Sequence, residues 1–240
     1  MVALPAEAAV LAGKGWRIEE GRQVLRLTAD EGGEWLCLRC GVGPRRALDA
    51  ARWLIGQNVT ALAVMGVSGG LAPGLAPGRL IVAERVIDKT AGGKFWPCKG
   101  SDDLLKALDD AGIAADRGLI VTVAEPVLDP EAKSGLHRET GALAVDMESA
   151  AVARAAAEAG LNCLVLRAVC DAADRRVPPA LYQMVDGDGR LRISILLREL
   201  LRRPGLIVDL LAMQRDFSRA LKALGRGGAA LGLKAARRKT

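Results

Sequence analysis

AVDMESAAVARAAAEAGLNCLVLRAVCDAAD, residues 144–174, reads as one α/β unit. Asp146 and Glu148 stand where an alanine-rich helix, Met147 to Ala159, is expected to begin. Gly160 is placed to end that helix in a left-handed turn, and Cys163 to Val169 is an apolar run suited to a strand. Asp171 falls at the carboxyl end of that strand. Ligands of open parallel sheets bind at this edge, so Glu148 and Asp171 are expected in one pocket. The two-residue period of a strand puts Arg167, Val169 and Asp171 on one face. Charges on so apolar a strand need a reason, and a purely structural ion pair competes with a functional one. Asp146 also suits a helix N-cap, and Glu148 suits the positive end of the helix dipole, without any chemistry.

Working outward, strand-like runs fall at Val24–Leu27, Trp35–Cys40, Ala61–Met65, Leu80–Val86 and Leu119–Val123. Helix-like runs fall at Ala6–Ala12, Pro44–Gly56, Asp102–Ala111 and in the final third. Strand pairs early and strand–helix alternation later predict a three-layer α/β/α fold with a central mixed sheet covered on both faces. Gly70–Gly78, GLAPGLAPG, is too rich in Gly and Pro for a helix and is expected as a loop. No linker divides the chain: residues 1–225 are expected as one domain and 226–240 as a flexible basic tail.

With 240 residues, half of them hydrophobic, the chain can bury a substantial core. Its five cysteines are an odd number, and the first residues lack a basic stretch ahead of an apolar run, so a reducing cytoplasm is expected. Cys37 and Cys40 form a CxxC within an expected strand, where an offset of three sends the side chains to opposite faces and away from metal or redox use. No cofactor or metal is expected. The net charge of +6 is concentrated toward the end of the chain. Aromatics are only 3%, with no stacking motif, which argues against nucleic acid. From residue 190 onward, apolar and basic residues interleave at helical spacing. Two readings stay open there: a solvated helix face, or peripheral contact with the inner face of a membrane. No apolar run is long enough to span a bilayer.

Gly66-Val67-Ser68-Gly69-Gly70 matches the G-x-S-x-G of a serine hydrolase elbow, but the Pro and Gly residues that follow do not open a helix. The sole histidine, His137, lies in the polar run EAKSGLHRET with nothing to place it near Ser68. A glycine turn whose backbone N–H groups approach a ligand fits better. Neither glycine cluster completes a dinucleotide fingerprint, and no Walker A motif is present. Carboxylates and arginines are left to carry the chemistry.

These residues resemble the superfamily of purine nucleoside phosphorylases and methylthioadenosine/S-adenosylhomocysteine nucleosidases. The resemblance rests on ALPAE at Ala3–Glu7, the glycine turn with GLAP at Gly66–Pro73, RGLIVT at Arg117–Thr122, AVDMESAAVA at Ala144–Ala153 and LRAVCDAAD at Leu166–Asp174. Within it the chain is most similar in overall character to the hopanoid-associated phosphorylase group, which acts on adenosylhopane. The resemblance implies a homodimer that cleaves an N-glycosidic bond, creating an oxocarbenium-like sugar and a purine anion. It implies that Asp171, protonated through desolvation, gives its proton to purine N7. Glu148 would hold the ribose hydroxyls, Met147 would pack on the ribose, Glu7 would activate water, and Arg167 would orient Glu148 or hold an anion.

The chain also departs from the family pattern. Val67 stands where the nucleosidases have Ser, with Ser68 one place later beside Gly69. Cys170 replaces the usual Ser before Asp171. Glu125-Pro126-Val127 lies where an aromatic often stacks on the purine. Phe95, Trp96, Tyr182 and Met184 are candidates for an apolar substrate wall. The phosphorylases' G-D-P-x-R loop is missing, which favours water as nucleophile. Against that, Gly43-Pro44-Arg45-Arg46 opens a helix with two guanidiniums that suit phosphate. A nucleoside-binding protein without activity remains the non-enzyme alternative.

Overall fold

The computed structural model describes residues 1–28, 33–178 and 206–233. The elements in chain order are α1 (Pro5–Ala12), β1 (Arg17–Glu19), β2 (Arg22–Thr28), β3 (Glu34–Arg39), α2 (Pro44–Gly56), β4 (Ala61–Gly70), β5 (Leu80–Asp88) and β6 (Lys94–Pro97). They continue with α3 (Ser101–Asp110), β7 (Ala115–Thr122), α4 (Pro130–Thr140), β8 (Ala144–Asp146), α5 (Ser149–Glu158), β9 (Asn162–Asp171) and α6 (Leu206–Ala230). Strands β1 to β3 form an antiparallel meander, and the central six-stranded sheet runs β6-β5-β7-β8-β4-β9. It is mixed: β4 and β9 are parallel, as are β5–β7 and β7–β8, while β4–β8 and β5–β6 are antiparallel. β9 also bonds β5 antiparallel through Leu166, Arg167 and Ala168, so the sheet curls back on itself.

Helices cover both faces, as expected. One core packs α2 and α5 on the sheet through Ala47, Ala51, Leu54 and the alanines of α5. The small side chains of α5 let its backbone lie close to the strands. The other core packs α1, α3 and α6 through Leu11, Leu104, Leu108, Ala223 and Leu224. Cys37 packs against the second core and Cys40 against the first, the opposite-face placement read from their spacing. Gly160 ends α5 at φ +69°, and the Leu161 N–H returns to the Ala156 carbonyl at 2.8 Å, closing the helix as its sequence implies.

Four expectations change. The helix expected from Met147 begins only at Ser149, and Ala144–Asp146 ahead of it is a short strand that was not expected. The glycine turn at 66–70 is the end of β4. The polar run around His137 is helix α4, begun by Pro130 and closed by Gly141 at φ +68°. Helix α6 continues through Arg226, where the tail was expected to start. Gly227 and Gly228 let it pack onto Leu166 and Leu11, where an added Cβ would lie 2.9 and 2.4 Å from their methyl carbons, and Leu233 beyond is buried. Among the described residues no helix is long and apolar enough to cross a membrane.

Candidate active site

The carboxyl ends of β4, β8 and β9 and the segment after β7 enclose a cavity of about 530 Å³. Its lining brings together Glu7, Ser68, Gly69, Val127, Met147, Glu148, Cys170 and Asp171, eight of the residues singled out from sequence. The rest of the wall is largely apolar, with Leu4, Val42, Val67, Val123, Pro126, Leu128, Val145, Val177 and Met213. Among the described residues its lining carries four carboxylates, Glu7, Asp146, Glu148 and Asp171, beside the Cys170 thiol, and no basic side chain. A larger cavity of about 680 Å³, between Trp16, Trp35 and Leu233, contains none of the predicted site residues.

Beneath the cavity floor lies Arg167, only 1% exposed. Its Nη2 pairs with Asp146 Oδ2 at 2.5 Å and reaches Glu148 Oε2 at 3.4 Å. It also donates to Ser149 Oγ from Nη2 at 3.0 Å and Nε at 3.2 Å, and to the Val67 carbonyl from Nη1 at 3.4 Å. With its donors so committed, Arg167 orients Glu148 but does not line the cavity, and the anion-holding role expected for it is withdrawn. Asp146 is fixed in turn by Thr122 Oγ1 at 2.6 Å and by the Ser149 N–H at 3.3 Å, but it ends β8, and the N-cap of α5 is Glu148 rather than Asp146. Gly66 lies opposite Arg167 in the β4–β9 register, and a Cβ there would sit 2.5 Å from Nη1 and 2.7 Å from Glu7 Oε1. Glycine is required here for close approach rather than for a turn.

Glu7, at 1% exposure, takes three backbone hydrogen bonds at 2.9 Å. Ala3 and Leu4 N–H donate to Oε2, and Val67 N–H donates to Oε1. Burial pushes its carboxyl above the usual range, opposed by Arg167 and by these N–H groups. Glu148 precedes α5 and accepts the Gly43 N–H on Oε1 at 2.9 Å. Burial pushes it up to about 7, opposed by Arg167 and reinforced by Asp146. Two carboxyls whose proton affinity is raised by burial therefore border the same space.

Asp171 departs from the expectation of an acid kept neutral by desolvation. Its Oδ2 meets the ammonium of Lys133, a fully buried side chain from α4, and Oδ1 accepts the Cys170 thiol at 3.1 Å. The replacement of Ser by Cys thus still supplies a donor to Asp171. Burial, then the Asp171 charge, raises the Cys170 thiol well above its ordinary value. Lys133 was missed from sequence because its run shows little apolar periodicity, although Pro130 and Gly141 mark the two helix ends. Ser68 Oγ is buried without a hydrogen-bond partner among the described residues. It stands within β4 rather than at a strand-to-helix elbow, and His137 Nδ1 is engaged by the Ala142 carbonyl at 2.8 Å.

Other predicted residues lie elsewhere. Arg45 and Arg46 are exposed on α2 outside this cavity, and the N–H that opens the helix is already bonded to Glu148. Phe95 is 54% exposed on edge strand β6 beneath the Arg85 guanidinium, and Trp96 packs against the first core, so neither forms a wall of the cavity. Tyr182 and Met184 fall outside the described residues.

The model of the phosphorylase superfamily matches residues 1–202. The chain belongs to that superfamily. As a superfamily member it is 32% identical over 185 residues to the futalosine hydrolase of Streptomyces coelicolor, a match covering 65% of this chain and 78% of that protein. Among solved structures it superposes on the 5′-methylthioadenosine/S-adenosylhomocysteine nucleosidase of Helicobacter pylori with a TM-score of 0.71, at 18% identity, over 96% of this chain and 93% of that one. The futalosine hydrolase of Helicobacter pylori gives the same TM-score of 0.71 at 18% identity, over 97% and 94% of the two chains. These structural likenesses establish the phosphorylase-superfamily fold, a mixed sheet between helices.

Proposed function

We propose that this chain is a purine nucleosidase that breaks the N-glycosidic bond with water, acting on a nucleoside with an apolar 5′ substituent. The observation that carries this reading is the single cavity that gathers Glu7, Glu148 and Asp171 with no basic side chain among the described residues of its lining. Carboxylate oxygens facing the cavity stabilise a cationic, oxocarbenium-like sugar, whereas no guanidinium or ammonium of the described residues opens onto it to hold a phosphate dianion. Glu148, held by Gly43 and Arg167, offsets the sugar's charge and takes the ribose hydroxyls. Met147 packs against the ribose. Glu7, fixed by three N–H groups, accepts the proton of the attacking water. Asp171 delivers a proton to N7 as the base departs. At Gly69 a Cβ would press within 3.2 Å of Val145, and Ser68 Oγ, without a partner among the described residues, is a hydrogen-bonding group for the substrate.

The apolar wall of Val42, Val127, Leu128, Val177 and Met213 supports a hydrophobic 5′ group, with adenosylhopane as our preferred example. Exposed Ile207, Val208 and Leu211 near the start of α6 favour contact with a lipid surface by the same molecule, and the working form is proposed to be a homodimer. Futalosine is the second reading, favoured by the Streptomyces relative. Purified chain incubated with adenosylhopane, methylthioadenosine or futalosine, with and without phosphate, tests these readings. We expect free base and an unphosphorylated sugar by mass. A sugar 1-phosphate formed only with phosphate refutes hydrolysis, and ligand binding without base release refutes an enzyme.

A further inference from the structure

Lys133 is a charged group at the site that the scheme above leaves unused. Its Nζ contacts the Asp171 carboxylate and donates to the Ala172 carbonyl at 2.9 Å and the Arg175 carbonyl at 3.0 Å. Three acceptors around one nitrogen use three protons, and only the ammonium form has three to give. Asp171 therefore stands as a carboxylate, with a cation on one oxygen and a thiol on the other. An acid needed by a departing base holds no proton of its own in this arrangement.

Among the described residues, the titratable groups facing Asp171 come from several elements. Lys133 lies on α4 and Cys170 on β9, with Glu7 of α1, Asp146 of β8 and Glu148 bordering the same cavity. Asp146 is bound to Arg167, and the Arg175 side chain turns to Asp216 of α6 at 3.5 Å. β4 contributes Ser68 and Gly69, which bring no charge. Lys133 is the cation that touches Asp171.

We propose that Lys133 is a positioning residue that stores the proton Asp171 passes to the leaving base, an inference that rests on the nucleosidase reading. As the C1′–N9 bond breaks, its electron pair moves onto the purine. One proton passes from Lys133 Nζ to Asp171 Oδ2 and on to N7, leaving a neutral base, a carboxylate and a neutral amine. The amine's two remaining N–H groups keep the Ala172 and Arg175 carbonyls satisfied. Water adds its hydroxide to C1′ and its proton to Glu7. After the base leaves, solvent entering the cavity takes the proton from Glu7 and returns one to Lys133 through Asp171. The ion pair thus acts as a single acid whose proton is kept away from the reacting centre until charge develops on the purine.

The test uses the full chain and two substrates with the same 5′-substituted sugar: the purine nucleoside and a 4-nitrophenyl riboside, whose leaving group needs no proton. Lys133→Met is expected to lower kcat/KM on the nucleoside at pH 8 on the order of 10²-fold, the usual range of a lost proton donor, with nitrophenyl turnover within about threefold of wild type. The ratio of its nucleoside to its nitrophenyl turnover, in which the charge both substrates need from Glu148 cancels, is expected to recover as pH falls and protons from solvent replace the missing donor. Lys133→Arg keeps the charge but cannot surrender a proton, so the same selective loss should persist at every pH. Equal losses on both substrates, or a turnover ratio in Lys133→Met that does not change with pH, overturn the proposal. Should these variants not fold, the wild type decides: its nucleoside activity must hold on the alkaline side of neutrality. A fall there with intact nitrophenyl turnover marks a lone protonated carboxyl and overturns the relay. A wild type that releases no base at any pH defeats the nucleosidase reading instead.

Discussion

Gly43 and Glu148 are joined by a 2.9 Å hydrogen bond from the backbone N–H ahead of α2 to Oε1 of the carboxylate. The anion-binding end of that helix is thereby occupied by the protein's own side chain, across 105 residues of sequence. Because burial pushes Glu148 up to about 7, its proton is lost in the physiological range. If the charged form steadies the sugar, kcat/KM should rise with pH through about 7. A profile flat from pH 5 to 9 would count against that role.

The same group bears on stability with a definite sign. A carboxyl raised in the folded state holds its proton longer than in the unfolded chain, so folding is favoured at low pH and loses stability as pH climbs from the ordinary range, 4.5, to about 7. Glu148→Gln removes this cost while keeping the shape. It should raise the melting temperature at pH 8, by the equivalent of roughly 1–3 kcal/mol, while nearly abolishing turnover. Thermal melts at pH 5 and 8 check it: the gain must shrink at the lower pH.

Gly66→Ala should destabilise the fold by about 1–3 kcal/mol, since a methyl 2.5 Å from Arg167 Nη1 and 2.7 Å from Glu7 Oε1 overpacks two fixed side chains. A denaturant midpoint equal to wild type would show that the floor of the cavity is looser than described.

Asp171→Asn should lower nucleoside turnover by on the order of 10²-fold or more. It also leaves the Lys133 ammonium buried without its counter-charge, which should cost about 3–5 kcal/mol. Turnover corrected for the folded fraction separates the two effects, and an unaltered corrected kcat would remove Asp171 from the reaction.

The double substitution of Arg45 and Arg46 by Ala should leave base release unchanged, because both side chains are exposed outside the cavity. A loss seen only in the presence of phosphate would restore them as a phosphate cradle.

The placement of these residues shows why part of the site was legible from sequence and part was not. Apolar runs and helix-ending glycine gave α5 and β9 close to their observed limits, and carboxylates at strand ends led to the shared cavity. The glycines of β4 looked like a turn because glycine is a poor strand former, whereas at Gly66 the reason is two charged groups pressed against the backbone. Lys133 was hidden because its partner lies 38 residues away and α4 buries few apolar side chains. The N-terminus of α2 was read as a phosphate cradle through Arg45 and Arg46, whereas in the fold its Gly43 N–H meets the internal carboxylate of Glu148. Phe95 and Trp96 carry the aromatic character of a binding wall, yet β6 is an edge strand antiparallel to β5, outside the cavity's lining.

The return of β9 to β5 through Leu166–Ala168 gives the strand bearing Asp171 bonded neighbours on both flanks at its centre. Such a strand resists sliding or splaying, so laboratory evolution of substrate choice should find few tolerated changes along it. Adaptation toward bulkier or smaller 5′ groups would instead accumulate in residues 123–128 and around Met213, which border the same cavity from outside the closed hydrogen-bond ring.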